Sequence, residues 1–247
     1  MKGMILAAGL GERLRPETLK KPKPLFAIGS TNMLRNAIGY LAKNGLREIA
    51  VNAHHLAQMI KDEIDSIEKS DVVLHFIEEK EIMGTAGGIK GAERFIAGSE
   101  FVVLNSDTLL DLDLKEAVEF HRSKNALATL VVRDNPEPEK FGTLEVGSDG
   151  RLLRFLAHFA PDFPRKKSKR LIKMFTGLQI FSPEIFTHIP SGRPVDISTE
   201  VYPKLVESGA PVFTFDYGGY WADIGSREAY KAALRDIEEN KFRVYEL

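Results

Sequence analysis

From residue 3 to residue 133, short apolar runs alternate with stretches of helical periodicity, and this alternation is the strongest constraint on the fold. "GMILAAG" (3–9) reads as a buried first strand closing at Gly9. "NMLRNAIGYLAKNGL" (32–46) sets Leu34, Ala37, Ile38, Leu41 and Ala42 on one helical face, with Gly45 as the stop. Strands follow over 48–53 and 72–79, separated by an amphipathic helix over 56–69. Residues 84–96 open with glycines and become helical, 100–110 read as one strand, 114–124 as a helix and 126–133 as a further strand. Strand and helix in turn at this spacing predict a largely parallel sheet covered on both faces, an α/β fold.

The second half is richer in strands. A hairpin over 142–155 turns at Ser148-Asp149-Gly150. Strands over 174–182 and 211–217 flank a helix over 198–209, and a terminal helix spans 226–240. The segment 158–173 carries two prolines and a run of lysine and arginine, so it reads as a basic loop.

Composition removes several classes. The 34 Lys and Arg nearly cancel the 35 Asp and Glu, which argues against a general nucleic-acid or anionic-membrane surface. There is no cysteine, hence no disulfide, thiolate metal site or cysteine nucleophile. No segment approaches the roughly 18 apolar residues of a membrane span. The first apolar stretch is too short for a signal peptide, and a cytoplasmic protein is expected.

"AAGLGERLRP" (7–16) follows a strand directly, where α/β sheets bind their ligands. Glycine there lets the backbone turn and leaves amide N–H groups open to a phosphate. The stretch is neither common phosphate fingerprint, because Leu14 breaks GxGxxG and no GK[ST] follows. Arg13 can fork onto a phosphate, and Lys23 adds a movable charge. Pro22 and Pro24 restrict the backbone around Lys23 and would hold it extended toward the site. Arg15, Lys20 and Lys21 read as surface. Asp107 closes the most apolar strand and Asp223 precedes the last helix. Each suits a cap or turn as well as a metal. Asn52, in "VNAHH" (51–55), is a candidate contact to nucleoside or sugar. His54 and His55 lack any partner pattern for zinc.

"LAAGLGERLRPETLKKPKPL" (6–25) resembles the signature of the sugar-1-phosphate nucleotidyltransferases, L-A-A-G-x-G-x-R-x-x-P-x-T followed by P-K-P-L. "MGTAGGI" (83–89), "NSD" (105–107), "FGTLEV" (141–146), "FTGLQIF" (175–181) and "YWADIGS" (220–226) are similar to later blocks of that family, in order. The resemblance implies a Rossmann-like three-layer α/β/α fold with a mostly parallel central sheet and a smaller β-rich sugar-binding part. It implies one catalytic domain over 1–247, with a nucleotide-binding half over about 1–135 and a sugar-phosphate-binding half over about 136–247. A C-terminal β-helix is not expected.

In that scheme Arg13 and Lys23 are catalytic, holding the β/γ- and α-phosphates. Leu6, Ala7, Ala8, Gly9, Gly11 and Asn52 bind the nucleotide, and Gly84, Thr85 and Ala86 read its base. Asn105, Gly142, Thr176 and Gly177 line the sugar. Asp107 and Asp223 hold Mg2+. The expected partners are a nucleoside triphosphate and a sugar 1-phosphate, with no nucleic acid or membrane, and a homodimer stays open. "GTAGGI" is closer to mannose- and heptose-1-phosphate guanylyltransferases and N-acetylmuramate-1-phosphate uridylyltransferases than to glucose-1-phosphate thymidylyltransferases, which points to GTP with a mannose- or heptose-type sugar.

Three alternatives stand beside it. One is a uridylyltransferase on an N-acetylated sugar 1-phosphate. Another is a cytidylyltransferase on phosphocholine, with Tyr217, Tyr220 and Trp221 as an aromatic cage. The third is a non-catalytic sugar-nucleotide-binding subunit, which the presence of Lys23, Asp107 and Asp223 disfavours. Many relatives place Glu-Lys-Pro after the "RF" that ends the hairpin, whereas here Phe155 is followed by Leu156-Ala157-His158. If cations in 165–170 replace that lysine as a lid, neutralising them raises KM for the sugar phosphate; an unchanged KM in steady-state kinetics would remove the lid.

Overall fold

The computed structural model describes residues 1–67, 71–163 and 171–247, and only the backbone of Lys140. In chain order the main strands are β1 (Lys2–Leu6), β2 (Glu48–Ala53), β3 (Val73–Glu78), β4 (Phe101–Asn105), β5 (Thr108–Leu110) and β6 (Ala128–Asp134). They continue with β7 (Leu144–Val146), β8 (Leu152–Phe155), β9 (His158–Phe159), β10 (Leu171–Phe181), β11 (Val212–Asp216) and β12 (Trp221–Asp223). The principal helices are α1 (Met33–Lys43), α2 (Ala57–Asp65), α3 (Gly84–Gly91), α4 (Leu114–Ser123), α5 (Tyr202–Glu207) and α6 (Arg227–Glu238). Two compact units are interleaved along the chain rather than divided near residue 135. One holds Met1–Ile82, Val102–Leu112 and Gly219–Leu247; the other holds Met83–Phe101 and Asp113–Gly218.

In the first unit, β1, β2 and β3 are parallel and joined by α1 and α2. The register pairs Leu6 with Asn52 and Ala53 with Glu78. The apolar face predicted for α1 is buried at Leu34, Ala37, Ile38 and Leu41, and Asn32 caps the helix by accepting from the Arg35 N–H at 2.9 Å. Strand β4 lies on the other side of β1. The chain thus runs outward from β1 through β2 and β3, then returns across β1. That reversal makes the carboxyl ends of β1 and β4 a topological switch point, where open α/β sheets place their ligands.

The strand expected over 100–110 is two strands. After Asn105 the Ser106 N–H closes onto the Leu6 carbonyl at 3.1 Å. Asp107 then turns the chain out of the sheet, and β5 pairs antiparallel with β12, an element absent from the sequence reading. The helix expected over 198–209 is likewise compound: a π-helical turn over Ile197–Val201 runs into α5.

In the second unit β10 pairs antiparallel with β6 and β7, and β11 lies parallel to β6. The predicted hairpin is β7–β8, continued by β9. The basic segment is therefore not one loop at its ends, since His158–Phe159 and Leu171–Lys173 are strand. Lys173 is 5% exposed, and its Nζ donates to Asp134 and Asp216 at 2.7 Å each. Residues 165–170, where a replacement for the missing lysine was placed, lie outside the described residues. Among the described residues no helix is long and apolar enough to cross a membrane.

α4 carries a buried histidine. His121 is 1% exposed, with Nδ1 2.8 Å from the Thr129 hydroxyl and Nε2 3.2 Å from that of Ser182. Burial holds its imidazole below the ordinary value of 6.5. As pH falls through that value the unfolded chain takes up a proton that the folded chain refuses. Stability therefore falls across this window and levels off once the folded imidazole protonates too. Urea unfolding at about pH 7.5 and about pH 5.5 should show this loss in the wild type and a smaller one in His121→Gln.

Candidate active site

The first unit gathers its charged residues at the switch point. β1 ends at Leu6, earlier than the expected Gly9, and the buried Ala7 N–H donates to Asn52 Oδ1 at 2.9 Å. Gly11 takes φ +62°, and a Cβ there would lie 2.8 Å from Thr18 Cγ2. Thr18, fully buried, donates its hydroxyl to the Gly11 carbonyl at 3.0 Å. Among the described residues, the N–H groups of Ala8, Gly9 and Leu10 meet no protein acceptor. Successive bare amides of this kind make an anion-binding concavity.

Three short 3-10 turns follow, over Glu12–Leu14, Glu17–Leu19 and Lys23–Leu25. Lys23 is thus not held extended. Pro22 is the extended residue, and Lys23 opens a turn that carries Pro24 at its second position. Its Nζ forms an ion pair with Asp107 Oδ2, the two side chains being 12% and 23% exposed. Arg15, Lys20 and Lys21 are exposed. Arg227, at the start of α6, donates to the Arg15 carbonyl at 2.6 Å and to Glu17 at 2.7 Å, tying the loop to the last helix.

Antiparallel pairing of β5 with β12 sets Asp223 opposite Thr108, and the Ile224 N–H donates to the Asp107 carbonyl at 2.9 Å. The two candidate metal carboxylates are therefore neighbours in space despite their separation in the chain. Arg13 reaches the same place. A Cβ built on Gly225 would lie 2.6 Å from Asp223 Oδ2 and 2.8 Å from an Arg13 guanidinium nitrogen. Both side chains occupy the space that glycine leaves. Two cations and two carboxylates balance, so a triphosphate arriving here brings an excess of negative charge. A pair of hard carboxylate oxygens, with phosphate oxygens and water completing the shell, is the donor set Mg2+ takes at such sites. Asp107 and Asp223 fit it. Among the described residues no cluster of three or more His, Cys, Asp or Glu forms an alternative metal site.

Apolar packing holds this arrangement. Leu14, Phe26, Ile28 and Met33 from the loop form one buried cluster with Leu109, Ile224, Ala233 and Phe242. Each such side chain contributes roughly 1.5–3 kcal/mol on full burial.

Several of the remaining predicted residues also make contacts within local structure. Asn105 is half-buried at the end of β4. Gly84, Thr85, Ala86, Gly142, Thr176 and Gly177 belong to the second unit. The Thr85 hydroxyl donates to Asp196 Oδ2 at 2.9 Å and accepts the Ile197 N–H at 2.8 Å, while the Ala86 N–H meets the Val195 carbonyl at 3.0 Å. These groups hold the 195–197 segment next to Gly84. Thr176 is 1% exposed and donates to the Val131 carbonyl at 2.8 Å, and Gly177 lies within the register shift between β10 and β6. The Gly142 carbonyl accepts from Asn135 Nδ2.

His54 and His55 are engaged with the carbonyls of Glu79 and Thr18, at 2.8 and 2.6 Å. Tyr220 stacks on Phe242 at 4.7 Å and bonds Asp236, and Tyr217 is 8% exposed, which leaves little of the proposed cage. The sequence reading missed Thr18, Glu79, Asp196 and Gly225. Asp196 had a signal, an Asp ahead of Ser-Thr at a helix start, and it caps that turn by accepting from the Ser198 and Thr199 N–H groups.

A sequence model described as Nucleotidyl transferase matches residues 2–240, and the chain belongs to that family. Among curated relatives, a UTP–glucose-1-phosphate uridylyltransferase of Synechocystis sp. is 34% identical over 96% of this chain. Mannose-1-phosphate guanyltransferase 2 of Candida glabrata is 35% identical over 94% of it. The matched region spans 63% of the length of each of these relatives. Among solved structures, HddC from Yersinia pseudotuberculosis, also crystallised with GMP-PN, aligns with a TM-score of 0.77 and 26% identity over 96% of this chain and 99% of that one. A putative glucose-1-phosphate thymidylyltransferase from Bacillus anthracis shares the fold, with a TM-score of 0.78 and 22% identity over 95% of this chain and 94% of that one.

The contact at Gly225 yields a prediction. In Gly225→Ala the atoms nearest the new methyl are the side-chain ends of Arg13 and Asp223, so these shift first. Calorimetry should show Tm nearly unchanged, and titration should show triphosphate affinity reduced roughly tenfold, the loss of one charged hydrogen bond.

Proposed function

We propose that the protein transfers a nucleotidyl group from a nucleoside triphosphate to a sugar 1-phosphate in the cytoplasm, with GTP and a mannose- or heptose-type sugar as the preferred pair. One observation carries the reading. Arg13, Lys23, Asp107 and Asp223, drawn from three distant segments, meet at the switch point beside the bare amides of Ala8–Leu10. Guanyltransferase relatives and the GMP-PN complex of HddC support the choice of base.

In the reaction, an oxygen of the sugar phosphate attacks the α-phosphorus. The new P–O bond forms in line with the bond to the β-phosphate, which breaks, and pyrophosphate leaves with the electron pair. The nucleophile is already an anion, so positioning and charge neutralisation matter more than a general base. The loop amides and Arg13 hold the outer phosphates. Lys23 exchanges Asp107 for the α-phosphate and stabilises the charge that develops there. Asp107 and Asp223 would hold Mg2+, which as a Lewis acid neutralises phosphate charge.

A pyrophosphate-release screen of the four main triphosphates against several sugar 1-phosphates and phosphocholine tests the reading. Highest turnover is expected with GTP and a mannose- or heptose-type phosphate. Preference for UTP, as the name of the Synechocystis relative would suggest, would change the base but not the reaction. No turnover with any pair would return the chain to a binding role. In the same assay Lys23→Ala should lower kcat/KM by about two orders of magnitude, by analogy with the loss of one oxyanion donor; a near-wild-type value would take Lys23 out of the mechanism.

A further inference from the structure

Asn52 was expected to touch the nucleotide, yet it is 2% exposed and both ends of its amide are engaged. Oδ1 accepts the Ala7 N–H at 2.9 Å, and Nδ2 donates to Glu79 Oε1 at 2.6 Å. The orientation of this amide is dictated by its neighbours. A backbone N–H can only donate, so the carbonyl end must face Ala7, which leaves the NH2 end to donate to Glu79. Glu79 is itself held, 7% exposed just beyond β3. Its N–H donates to the Ala53 carbonyl at 2.8 Å, and its carbonyl lies 2.8 Å from His54 Nδ1. Ala7 is the first residue after β1 and is 3% exposed. Its N–H is drawn into the protein, while those of the next three residues meet no acceptor among the described residues.

We propose that Glu79 and Asn52 are positioning residues: a one-way hydrogen-bond relay that draws the Ala7 amide inward and so presents the amides of Ala8, Gly9 and Leu10 to the triphosphate. Neither residue touches the ligand; both act through the backbone of Ala7. The proposal deepens the nucleotidyltransferase reading and rests on it for the identity of the anion.

The relay predicts a rescue by reversed polarity. Asn52→Asp removes the donor to Glu79 and sets two carboxylates face to face. Adding Glu79→Gln supplies a new amide that donates to the new carboxylate, which still accepts from Ala7. Two readouts apply: hydrogen exchange of the Ala7 amide in the ligand-free protein, and affinity for inorganic triphosphate with Mg2+, which is indifferent to the base. In Asn52→Asp both should worsen roughly 10- to 100-fold, the range for losing a hydrogen bond to a charged group. KM for the sugar phosphate should stay within about twofold, because the amides it does not use are the ones disturbed. The double variant should recover both readouts to within about threefold.

A double variant as impaired as the single one would overturn the relay, as would altered Ala7 exchange with unaltered triphosphate affinity. If Asn52→Asp does not fold, the double variant decides alone: wild-type exchange and affinity support the relay, and failure to fold refutes it. Wild-type protein that binds no triphosphate would sink the functional reading instead, a result separable from Ala7 exchange.

Discussion

The charges of the candidate site are held by an apolar contact. Leu14 follows Arg13, and Phe26, Ile28 and Met33 follow Lys23; they share one cluster with Leu109, two residues after Asp107, and Ile224, one residue after Asp223. Two long cationic side chains near two carboxylates would not order a loop by themselves, because the desolvation of a largely buried ion pair offsets much of its attraction. Burying the residues between them does. The loop then has one conformation, and its charged side chains inherit a position from the oily ones beside them.

The sheet decides what that position is. Because β4 returns across β1, a loop leaving β1 and a turn leaving β4 emerge side by side. The first brings donors and the second brings a carboxylate, joined by its partner through the β5–β12 ladder. A reaction in which one charged group replaces another on phosphorus needs opposite charges a few ångströms apart but separately anchored. Two segments from adjacent strand ends supply that more simply than one segment can.

Local structure was largely legible from the residues. The strand read at 48–53 has those limits, and the face of α1 was visible in the spacing of Leu34, Ile38 and Leu41. The hairpin turn at Ser148-Asp149-Gly150 was equally plain. What failed was non-local. The run over 100–110 is apolar on both sides of Asn105-Ser106-Asp107-Thr108, and nothing in it says that Thr108–Leu110 will leave one sheet to pair with Trp221–Asp223. The turns after Gly11 are set by Thr18 and by distant packing, not by periodicity. At the site, residue types suggested a phosphate and a metal, but not which groups face outward. Asn52, Thr85 and Thr176 carry polar groups suited to ligands, and the structure engages each with backbone or a neighbouring carboxylate. Sequence lists donors; only the fold says which are already taken.

The interleaving of the two units has a consequence for synthesis on the ribosome. Residues 83–101 and 113–218 are insertions within the first unit, whose segment 219–247 emerges after both. The loop of Arg13 and Lys23 and the strand leading to Asp107 are translated before most of the second unit, whereas Asp223, Ile224 and the helix that closes the apolar cluster follow it. A nascent chain therefore carries an unfinished charge cluster and an uncovered apolar surface until residues 219–247 have left the ribosome. The candidate site is complete only when residues 6–25 and 219–247 have met.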